Sequence, residues 1–555
     1  MRDAAESFVD ELARRIAEQR PRIVGVSTMF QQHCASLALL RRLRHIAPDI
    51  IGLMGGANCE GVMGRATFEA FPWVDYVVTG EADDIIVPLV SDILAHGREV
   101  PAERLAAGVY GPIHRQHPPS DRSARPQVRA LDRLPTPHYH DYFEALERSP
   151  LRSSVRPGLL VETSRGCWWG DRHHCTFCGL NGSGLNFREK SAERFVAELA
   201  ELSREYGLRT FEITDNILSM KYFQTALPAL AEAEAGYTIF AETKANLKRE
   251  HVQRLATAGI RWIQPGIESM HDELLAHMDK GTTALINIQL LKWAREFGVA
   301  VSWNVLYGFP GEEPRQYDEM AALLPLLFHL QPPQAMLPMR YDRFSPYQTR
   351  PADFGIEVAP NRSYSYIFPL TPTQIDDFAY FFQSLAQARE EAPPDWPPAR
   401  KGSAHAAVDE LITRWLHLFW GNLPALLSMT DDGDGVSILD TRPCATERRT
   451  TLTGRAREVY LACDVPRRGT HFPENGEVLE DLCRRRLMVC IDGQYLSLAV
   501  RGTLPRVLRP WEFPGGTAGL PAGVAVHVPD APPSARLSLV PAGAGSAPLA
   551  SERSS

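Results

Sequence analysis

The chain has 555 residues, of which 44% are hydrophobic and 23% are charged, and its formal net charge is -8. This composition is ordinary for globular domains, and the negative charge provides no electrostatic basis for binding nucleic acid or an anionic membrane. No apolar run approaches the roughly 20 residues of a transmembrane helix, and the first residues lack a signal-peptide pattern. We therefore expect a cytoplasmic protein of several domains, without nucleic-acid or membrane partners.

The first 110 residues alternate between helical patterns and short apolar runs of strand length. A helical pattern over residues 4–20 precedes apolar runs at 22–27, 50–54 and 74–78. Strands that alternate with helices in this way predict a doubly wound parallel sheet, whose ligands bind at the carboxyl ends of the strands.

The three predicted strands end in Ser27-Thr28-Met29, Gly55-Gly56-Ala57-Asn58 and Gly80-Glu81. Glycine lets the backbone approach a bulky ligand closely, although a glycine pair after a strand is as often a turn. The order of these loops resembles the later half of a cobalamin-binding domain. The resemblance implies cobalamin contacts from Ser27, Thr28, Gly55, Gly56, Asn58, Gly80 and Glu81.

The resemblance to a cobalamin-binding domain is incomplete. Only 22 residues precede Ile23, and the D-x-H-x-x-G motif, which supplies an axial histidine to cobalt in many cobalamin proteins, is absent. His33 lacks the aspartate two residues before it and is not expected to take that role. We expect a domain at 1–110 that is truncated at its N-terminus. Three alternatives stay open: a late start of the sequence, cobalamin held without a protein histidine, or lost binding.

Three of the nine cysteines, Cys167, Cys175 and Cys178, lie within twelve residues in the spacing C-x7-C-x2-C. They follow a predicted strand at 158–164, and in a chain without a secretory signal they predict a metal site. Three thiolates with no obvious fourth ligand favour a [4Fe-4S] cube with one open iron. A zinc site completed by His173 or His174 is the alternative.

This motif resembles the C-x3-C-x-aromatic-C signature of radical S-adenosylmethionine (SAM) enzymes, with Phe177 as the aromatic residue and four extra residues in the first gap. The longer form contains Trp168-Trp169 and His173-His174 and is followed by Gly-Leu-Asn-Gly. It is similar to a subgroup that matures ribosomally made peptides and includes cobalamin-dependent C-methyltransferases of the polytheonamide type. The resemblance implies a [4Fe-4S] cluster, SAM, methylcobalamin, a precursor peptide, and a low-potential electron donor of the flavodoxin or ferredoxin type.

Residues 151–345, which follow a Pro-, His- and Arg-rich linker at 111–150, alternate strands and helices as in a partial (β/α)6 barrel. Polar residues recur at the predicted strand ends, where barrels build their active sites. The resemblance implies SAM contacts from Phe177, Asp215, Glu242, Glu268, Ser269 and Asn304, and an adenine-side turn at 308–312. Tyr307, Arg340 and Tyr341 are candidates to face the substrate. A helix cap is the alternative for Asp215, and core packing is the alternative for the aromatic residues.

The remaining sequence divides into three predicted parts. Residues 346–435 are expected to be mostly helical, with Phe381 and Phe382 in a packing stripe. Residues 436–502 resemble a small winged-helix unit with an Asp492-Gly493 hairpin, a type of unit that holds precursor leaders in such pathways. Residues 503–555 are rich in Pro, Ala, Gly and Ser and are predicted to be disordered.

The resemblance as a whole predicts radical SAM, cobalamin-dependent C-methylation of an unactivated carbon in a precursor peptide. Radical chemistry without methyl transfer, such as epimerisation or crosslinking, is the first alternative. A non-catalytic cobalamin or iron-sulfur sensor is the second.

Overall fold

The N-terminal region forms a small α/β sheet. The computed structural model describes residues 2–180, 182, 184–385 and 404–514. The first elements are α1 (Arg2–Glu18), β1 (Ile23–Ser27), α2 (Gln32–Ile46), β2 (Ile51–Gly55), α3 (Val62–Ala70), β3 (Tyr76–Val78), α4 (Ile86–His96) and β4 (Val109–Tyr110). Strands β1, β2 and β3 are parallel, and β4 joins β3 antiparallel.

Alternate side chains of this sheet enter separate cores on its two faces. Met54 and Val77 pack in one core, whereas Leu53, Tyr76 and Val78 pack in the other. Helices therefore cover both faces, as expected for apolar parallel strands. The strand order is β1-β2-β3-β4, so the reversal of order predicted by a doubly wound sheet is absent among the described strands.

The segment predicted as a linker is ordered against its neighbours. It contains α5 (His140–Arg148). The guanidinium of Arg115 lies 4.1 Å from the ring centroid of Phe68, and the Tyr139 hydroxyl donates to the carbonyl of Leu160. It is therefore a packed strap between the N-terminal sheet and the barrel region.

The barrel region contains a five-stranded parallel sheet and a separate parallel pair. Its elements are β5 (Leu159–Val161), β6 (Ser164–Arg165), β7 (Arg188–Glu189), α6 (Ala192–Tyr206), β8 (Thr210–Ile213), α7 (Ala226–Glu232), β9 (Thr238–Glu242), α8 (Arg249–Thr257), β10 (Ile260–Gln264), α9 (Asp272–His277), α10 (Ala284–Phe297), β11 (Ala300–Val301), β12 (Val305–Tyr307), α11 (Pro314–Leu323) and β13 (Met336–Pro338). The order of the larger sheet is β11-β10-β9-β8-β5, and β12 pairs with β13. The strands of the larger sheet are all parallel, so their carboxyl ends lie along one edge.

The region after the barrel combines helices with short strands. It contains β14 (Tyr341–Asp342), α12 (Pro346–Thr349), β15 (Val358–Pro360), α13 (Ser363–Ile367), α14 (Pro372–Phe378), β16 (Phe381–Ser384) and α15 (Ala404–Trp420). Phe381 and Phe382 lie in strand β16, with alternating burial, rather than in a helical stripe. Adjacent aromatic residues favour a pleated strand, where they occupy opposite faces.

The C-terminal unit combines a four-stranded sheet with a helix-and-hairpin segment. Its elements are β17 (Leu427–Asp431), β18 (Gly435–Asp440), β19 (Arg449–Thr453), α16 (Gly454–Ala462), β20 (Arg467–Arg468), α17 (Gly476–Arg484), β21 (Met488–Ile491), β22 (Gln494–Ser497) and β23 (Val500–Arg501). Asp492 and Gly493 connect β21 to β22 with positive φ values of 48° and 71°. Positive φ at both residues is typical of a tight hairpin turn.

Residues 503–514 pack against the barrel, which corrects the prediction that disorder begins at 503. The ring of Phe513 stacks on Trp262 with centroids 3.9 Å apart, and Trp262 contacts Phe240 at 4.3 Å. Because the whole tail is rich in small residues and proline, its average composition did not reveal the local apolar contact made by Phe513. The rest of the predicted tail, 515–555, lies outside the described residues.

Candidate active site

The three clustered cysteines lie on the loop between β6 and β7, directly after the first barrel strand. Burial raises the pKa of Cys178 to about 12, and the neighbouring Cys175 thiol acts in the same direction. Burial also raises the pKa of Cys167, with a smaller effect from Cys175. The three thiols therefore lie within each other's electrostatic range in a partly desolvated loop.

The extra residues between the first two cysteines anchor the loop to neighbouring strand ends. The indole of Trp168 donates to the carbonyl of Leu218 at 3.2 Å, after β8. The indole of Trp169 donates to the carbonyl of Asp279 at 3.3 Å, after α9. After the second cysteine, the backbone N–H of Thr176 also donates to the carbonyl of Met278, at 3.1 Å. The longer spacing between Cys167 and Cys175 therefore includes two tryptophans that hydrogen-bond to neighbouring segments.

Trp169 occupies space that Gly281 leaves open. A Cβ at Gly281 would lie 2.1 Å from the indole ring, and the backbone there has a φ of 63°. Only glycine combines that φ with such a close approach at low cost. The indole ring also stacks on the imidazole of His173, with ring centroids 4.6 Å apart.

The donors of the cysteine loop are three thiols. Three thiolates can hold three irons of a [4Fe-4S] cube and leave the fourth iron open. The N–H of Gly170 donates to the sulfur of Cys167 at 3.3 Å, a contact that stabilises a bound thiolate. The donor set therefore fits a [4Fe-4S] cluster.

Two lysines bring positive charge to the thiol loop. The ammonium of Lys244 lies 3.5 Å from the ring centroid of Trp169 and donates to the carbonyl of Lys280 at 2.5 Å. The ammonium of Lys280 lies 5.3 Å from the ring centroid of Phe177. Phe177 also contacts Phe309 edge to face, at 5.9 Å. Sequence reasoning did not single out Lys244, which no motif identifies.

Glu242 and Glu268, both predicted SAM contacts, lie close together at the ends of neighbouring strands. Burial, and secondly the charge of Glu268, raise the pKa of Glu242 to about 7. Glu268 pairs with the ammonium of Lys280 at 3.1 Å and has a φ of 58°, which is unusual for a residue with a side chain. Among the described residues, none donates a hydrogen bond to the Glu242 carboxylate. A half-buried carboxylate of this kind fits a ligand ammonium group.

Two other predicted SAM contacts, Asp215 and Ser269, have hydrogen-bond partners within the protein. The carboxylate of Asp215 accepts hydrogen bonds from the N–H of Thr163 and the hydroxyl of Ser164, both at 2.8 Å. Ser269 is fully buried, and its hydroxyl accepts the N–H of His271 at 3.2 Å. Asp215 therefore fastens the start of the cysteine loop to the end of β8. The structure gives both residues partners other than the predicted ligand.

The predicted adenine-side turn at 308–312 is held by hydrogen bonds to the carboxylate of Glu312. Glu312 Oε2 accepts the N–H groups of Gly308 and Phe309 at 2.7 and 2.8 Å. Glu312 Oε1 pairs with the imidazole of His405 at 3.1 Å. That imidazole lies 5.1 Å, between ring centroids, from Tyr307. Tyr307 is half-buried beside this rigid turn.

The other substrate-facing candidates and Asn304 occupy different environments. Tyr341 is buried and contacts the ring of Tyr347 at 5.9 Å, so it packs in the core, which differs from the predicted role. The guanidinium of Arg340 is half-exposed and lies 5.1 Å from the ring centroid of Phe381. Asn304 is half-buried just before β12.

The loops after β1 and β2 are linked to each other. The amide of Asn58 donates to the Thr28 hydroxyl and, at 3.1 Å, to the carbonyl of Phe30. The N–H of Thr28 donates to the carbonyl of Gly55 at 2.9 Å. Thr28 and Asn58 are buried and shape these loops. Ser27 and Gly56 are exposed at the same strand ends and remain accessible to a ligand.

Glu81, a predicted cobalamin contact, joins the N-terminal sheet to the cysteine loop. Its carboxylate pairs with Arg188 of β7 and Arg165 of β6. Gly80, the residue before it, is half-buried beneath Pro126 of the strap. Farther along the cysteine loop, a Cβ at Gly182 would lie 2.6 Å from the side chain of Glu60. The cysteine loop therefore abuts the N-terminal region at two points.

Comparisons with known proteins identify the central domain. The family model of the radical SAM superfamily matches residues 161–324. The chain is 26% identical over 320 residues to an uncharacterised methyltransferase of Pyrococcus horikoshii, covering 57% of this chain and 66% of that protein. It is 26% identical over 359 residues to the cytidylyl-2-hydroxyethylphosphonate methyltransferase of Streptomyces wedmorensis, covering 56% and 63%. It is 22% identical over 339 residues to the anaerobic magnesium-protoporphyrin IX monomethyl ester cyclase of Synechocystis sp., covering 58% and 62%.

The chain thus spans 62 to 66% of the length of these curated relatives. Among solved structures, the radical SAM methyltransferase TsrM from Kitasatospora setae is similar with a TM-score of 0.48 and 18% identity, covering 65% of this chain and 70% of that one. The cobalamin-dependent radical enzyme OxsB with aqua-cobalamin bound gives a TM-score of 0.45 at 18% identity, covering 62% and 49%.

The described helices include none that is both long and apolar enough to cross a membrane. The matched segment begins at the first barrel strand and contains all three clustered thiols and the polar strand ends. Its cofactors are a [4Fe-4S] cluster and SAM. Residues 161–324 of this chain form a radical SAM domain.

Proposed function

We propose that this protein catalyses radical, cobalamin-dependent C-methylation of an unactivated carbon in a ribosomally synthesised precursor peptide. The observation that carries the proposal is the junction of the cysteine loop with the N-terminal sheet. Arg165 and Arg188, on the two strands that flank the loop, both bind Glu81. A ligand held at the ends of β1 and β2 would therefore belong to the same junction as the thiols.

The bound cofactors supply a SAM-derived radical and a transferable methyl group, while the protein holds and orients them. Cys167, Cys175 and Cys178 would bind the cluster, and Asp215 fixes the backbone from which their loop starts. Glu242 would accept the ammonium group of SAM, and the pair of Glu268 with Lys280 would border its methionine part. The contact of Phe177 with Phe309 places apolar surface beside these charged groups and excludes water.

The predicted cobalamin contacts fit cobalamin only in part. Those that fit lie in the loops after β1 and β2. Ser27, Gly55 and Gly56 lie at the ends of β1 and β2 with accessible backbone, whereas Thr28 and Asn58 shape the loops beneath them. Exposed Met29, in the same loop as Ser27, adds apolar surface. We therefore propose that these two loops hold cobalamin, without a histidine ligand from D-x-H-x-x-G.

A peptide substrate is proposed because of the form of the cysteine motif and the unit at 454–497. Helices α16 and α17 with strands β20 to β22 form a compact helix-and-hairpin unit, and we propose that it holds the leader of the precursor. A flavodoxin- or ferredoxin-type donor in the cytoplasm would supply the low-potential electron. Two curated relatives are named methyltransferases and another is named a cyclase, so the product must decide whether a methyl group is transferred.

The test is an anaerobic reaction with a reconstituted cluster, methylcobalamin, SAM, a low-potential reductant and the peptide encoded beside the gene. A peptide gain of one methyl mass, together with 5'-deoxyadenosine and S-adenosylhomocysteine, supports methylation. 5'-Deoxyadenosine with an unmethylated but altered peptide favours epimerisation or crosslinking. No consumption of SAM by a protein with a full cluster favours a sensor. C175A must abolish turnover, whereas C34A, at an exposed cysteine on α2, must retain it.

A further inference from the structure

A buried lysine, Lys244, lies against Trp169 of the cysteine loop. Lys244 follows β9, is buried, and points its ammonium at the face of Trp169 at 3.5 Å from the ring centroid. A cation at this distance over an indole face is a strong contact when it is desolvated. Trp169 itself lies two residues after Cys167, so Lys244 is fixed against the cysteine loop.

A hydrogen bond holds Lys244 on its other side. Its ammonium donates to the carbonyl of Lys280, in the same backbone segment that receives Trp169 at Asp279. Lys244 therefore bridges the inserted part of the cysteine loop and the segment after α9. Removal of the side chain would leave the Lys280 carbonyl and the indole face without this partner.

The ammonium of Lys244 lies beside the cysteine loop. It donates to the carbonyl of Lys280, and Cys175 Sγ lies 3.9 Å from the carbonyl of the preceding residue, Asp279. Burial lowers the pKa of Lys244 to about 8, so the ammonium form still prevails at pH 7. A one-electron reduction adds negative charge to a cluster that three thiolates already make anionic. A nearby buried cation stabilises the reduced state more than the oxidised state, because the Coulomb energy grows with the cluster charge.

We propose that Lys244 is a positioning residue that fixes the Trp169 anchor and raises the reduction potential of the [4Fe-4S] cluster. In this step the cluster gains one electron from a low-potential donor, here Ti(III) citrate, and no bond to Lys244 forms or breaks. The inference rests on the cluster of the proposed function, and it requires neither cobalamin nor a peptide. The proposal also assigns a role to Trp169, because its indole ring holds the Lys244 ammonium beside the cysteine loop.

The experiment is an anaerobic redox titration of the reconstituted full-length chain, followed by electron paramagnetic resonance of the reduced cluster, with iron content measured in parallel. K244M removes the charge and the hydrogen bond, K244Q removes the charge and keeps a donor, and K244R keeps both. K248M removes an exposed lysine from the same loop and is the matched control. We expect more negative midpoints for K244M and K244Q, and wild-type midpoints for K244R and K248M.

Each result bears on the proposal. Equal midpoints in all five proteins would overturn it, and so would a wild-type midpoint in K244Q with a shifted one in K244M, because a hydrogen bond alone would then explain the effect. If K244M retains too little iron to titrate, K244Q supplies the charge-free comparison. A wild-type chain that binds no cluster would refute the proposed function itself. A cluster that forms without peptide methylation would refute the methylation proposal and leave the role of Lys244 intact.

Discussion

Glu81 and Arg188 form a two-point ion pair between the N-terminal sheet and strand β7. Arg188 Nη2 lies 2.8 Å from Glu81 Oε1, and Arg188 Nη1 lies 2.9 Å from Glu81 Oε2. The same carboxylate accepts the N–H of Val128 at 2.7 Å and a guanidinium hydrogen of Arg165 at 3.1 Å. One side chain thus ties together the sheet, the strap and both strands that flank the cysteine loop.

The first prediction concerns the stability of this junction. The Glu81 and Arg188 side chains are 13% and 15% exposed, so E81Q leaves the partly buried guanidinium of Arg188 without its counter-charge, whereas Arg165 keeps its pairs with Asp83 and Glu162. We expect the variant to lose about 2–4 kcal/mol of stability, measured by urea unfolding. E273Q removes a carboxylate from an ion pair that is 51% exposed on both sides and should cost less than about 1 kcal/mol. Equal losses in the two variants would contradict the role of Glu81.

The pH dependence of this stabilisation follows from the direction of the Glu81 shift. Burial alone would raise the pKa of Glu81, but the hydrogen bonds from Arg188 and Val128 prevail and lower it to about 2. A carboxyl whose pKa is depressed in the folded state stabilises the protein fully above its unfolded pKa, about 4.3, and loses that contribution as the pH falls toward 2. The difference between wild type and E81Q in urea unfolding should therefore shrink between pH 6 and pH 3. A constant difference would contradict the assignment.

A second prediction tests the space reserved for Trp169. G281A places a methyl group against the indole, whereas G207A adds one at the end of α6, where nothing lies within 4 Å. The φ values are 63° and 67°, so both variants bear a similar backbone cost of about 1–2 kcal/mol. Iron content and visible absorbance after reconstitution should fall in G281A and stay at the wild-type level in G207A. Full iron loading of G281A would show that the anchor is dispensable.

Residue patterns indicated where the candidate site lies but did not reveal the partners of its side chains. The cysteine spacing and the polar strand ends were visible in the sequence because each depends on local order. The partners of Asp215 and Glu81 were not visible, because Thr163 and Arg188 are 52 and 107 residues away along the chain. A strand-end carboxylate looks the same in sequence whether it binds a ligand or a neighbouring loop.

The same limit applies to the fold. The alternation of strands and helices predicted the α/β architecture, because burial on both faces makes parallel strands continuously apolar. It did not predict the order of the N-terminal strands or the antiparallel pairing of β4, which depend on tertiary packing. Composition also hid the packing of Phe513 on Trp262, since one aromatic residue barely changes the average of a tail rich in small residues.

The contact between Phe513 and Trp262 supports a third prediction. F513A removes a buried ring that stacks parallel to Trp262, and we expect a loss of about 3–4 kcal/mol in urea unfolding. F8A removes a ring that is 64% exposed on α1 and should change stability by less than about 0.5 kcal/mol. If F513A unfolds like wild type, the segment 503–514 does not contribute to the stability of the barrel.

The last prediction concerns Glu242 as the acceptor of the SAM ammonium group. E242Q replaces a charge-assisted hydrogen bond with a neutral one, and we expect SAM affinity to fall about 10- to 100-fold in anaerobic calorimetry. E250Q, at an exposed position on α8, should bind SAM like wild type. Burial and then Glu268 raise the pKa of Glu242 to about 7, so the free protein holds a growing fraction of protonated Glu242 below that pH. The ratio of wild-type to E242Q affinity should therefore rise between pH 6 and pH 8. A ratio that stays near one over this range would exclude Glu242 from the SAM site, and the ammonium group would then need another acceptor.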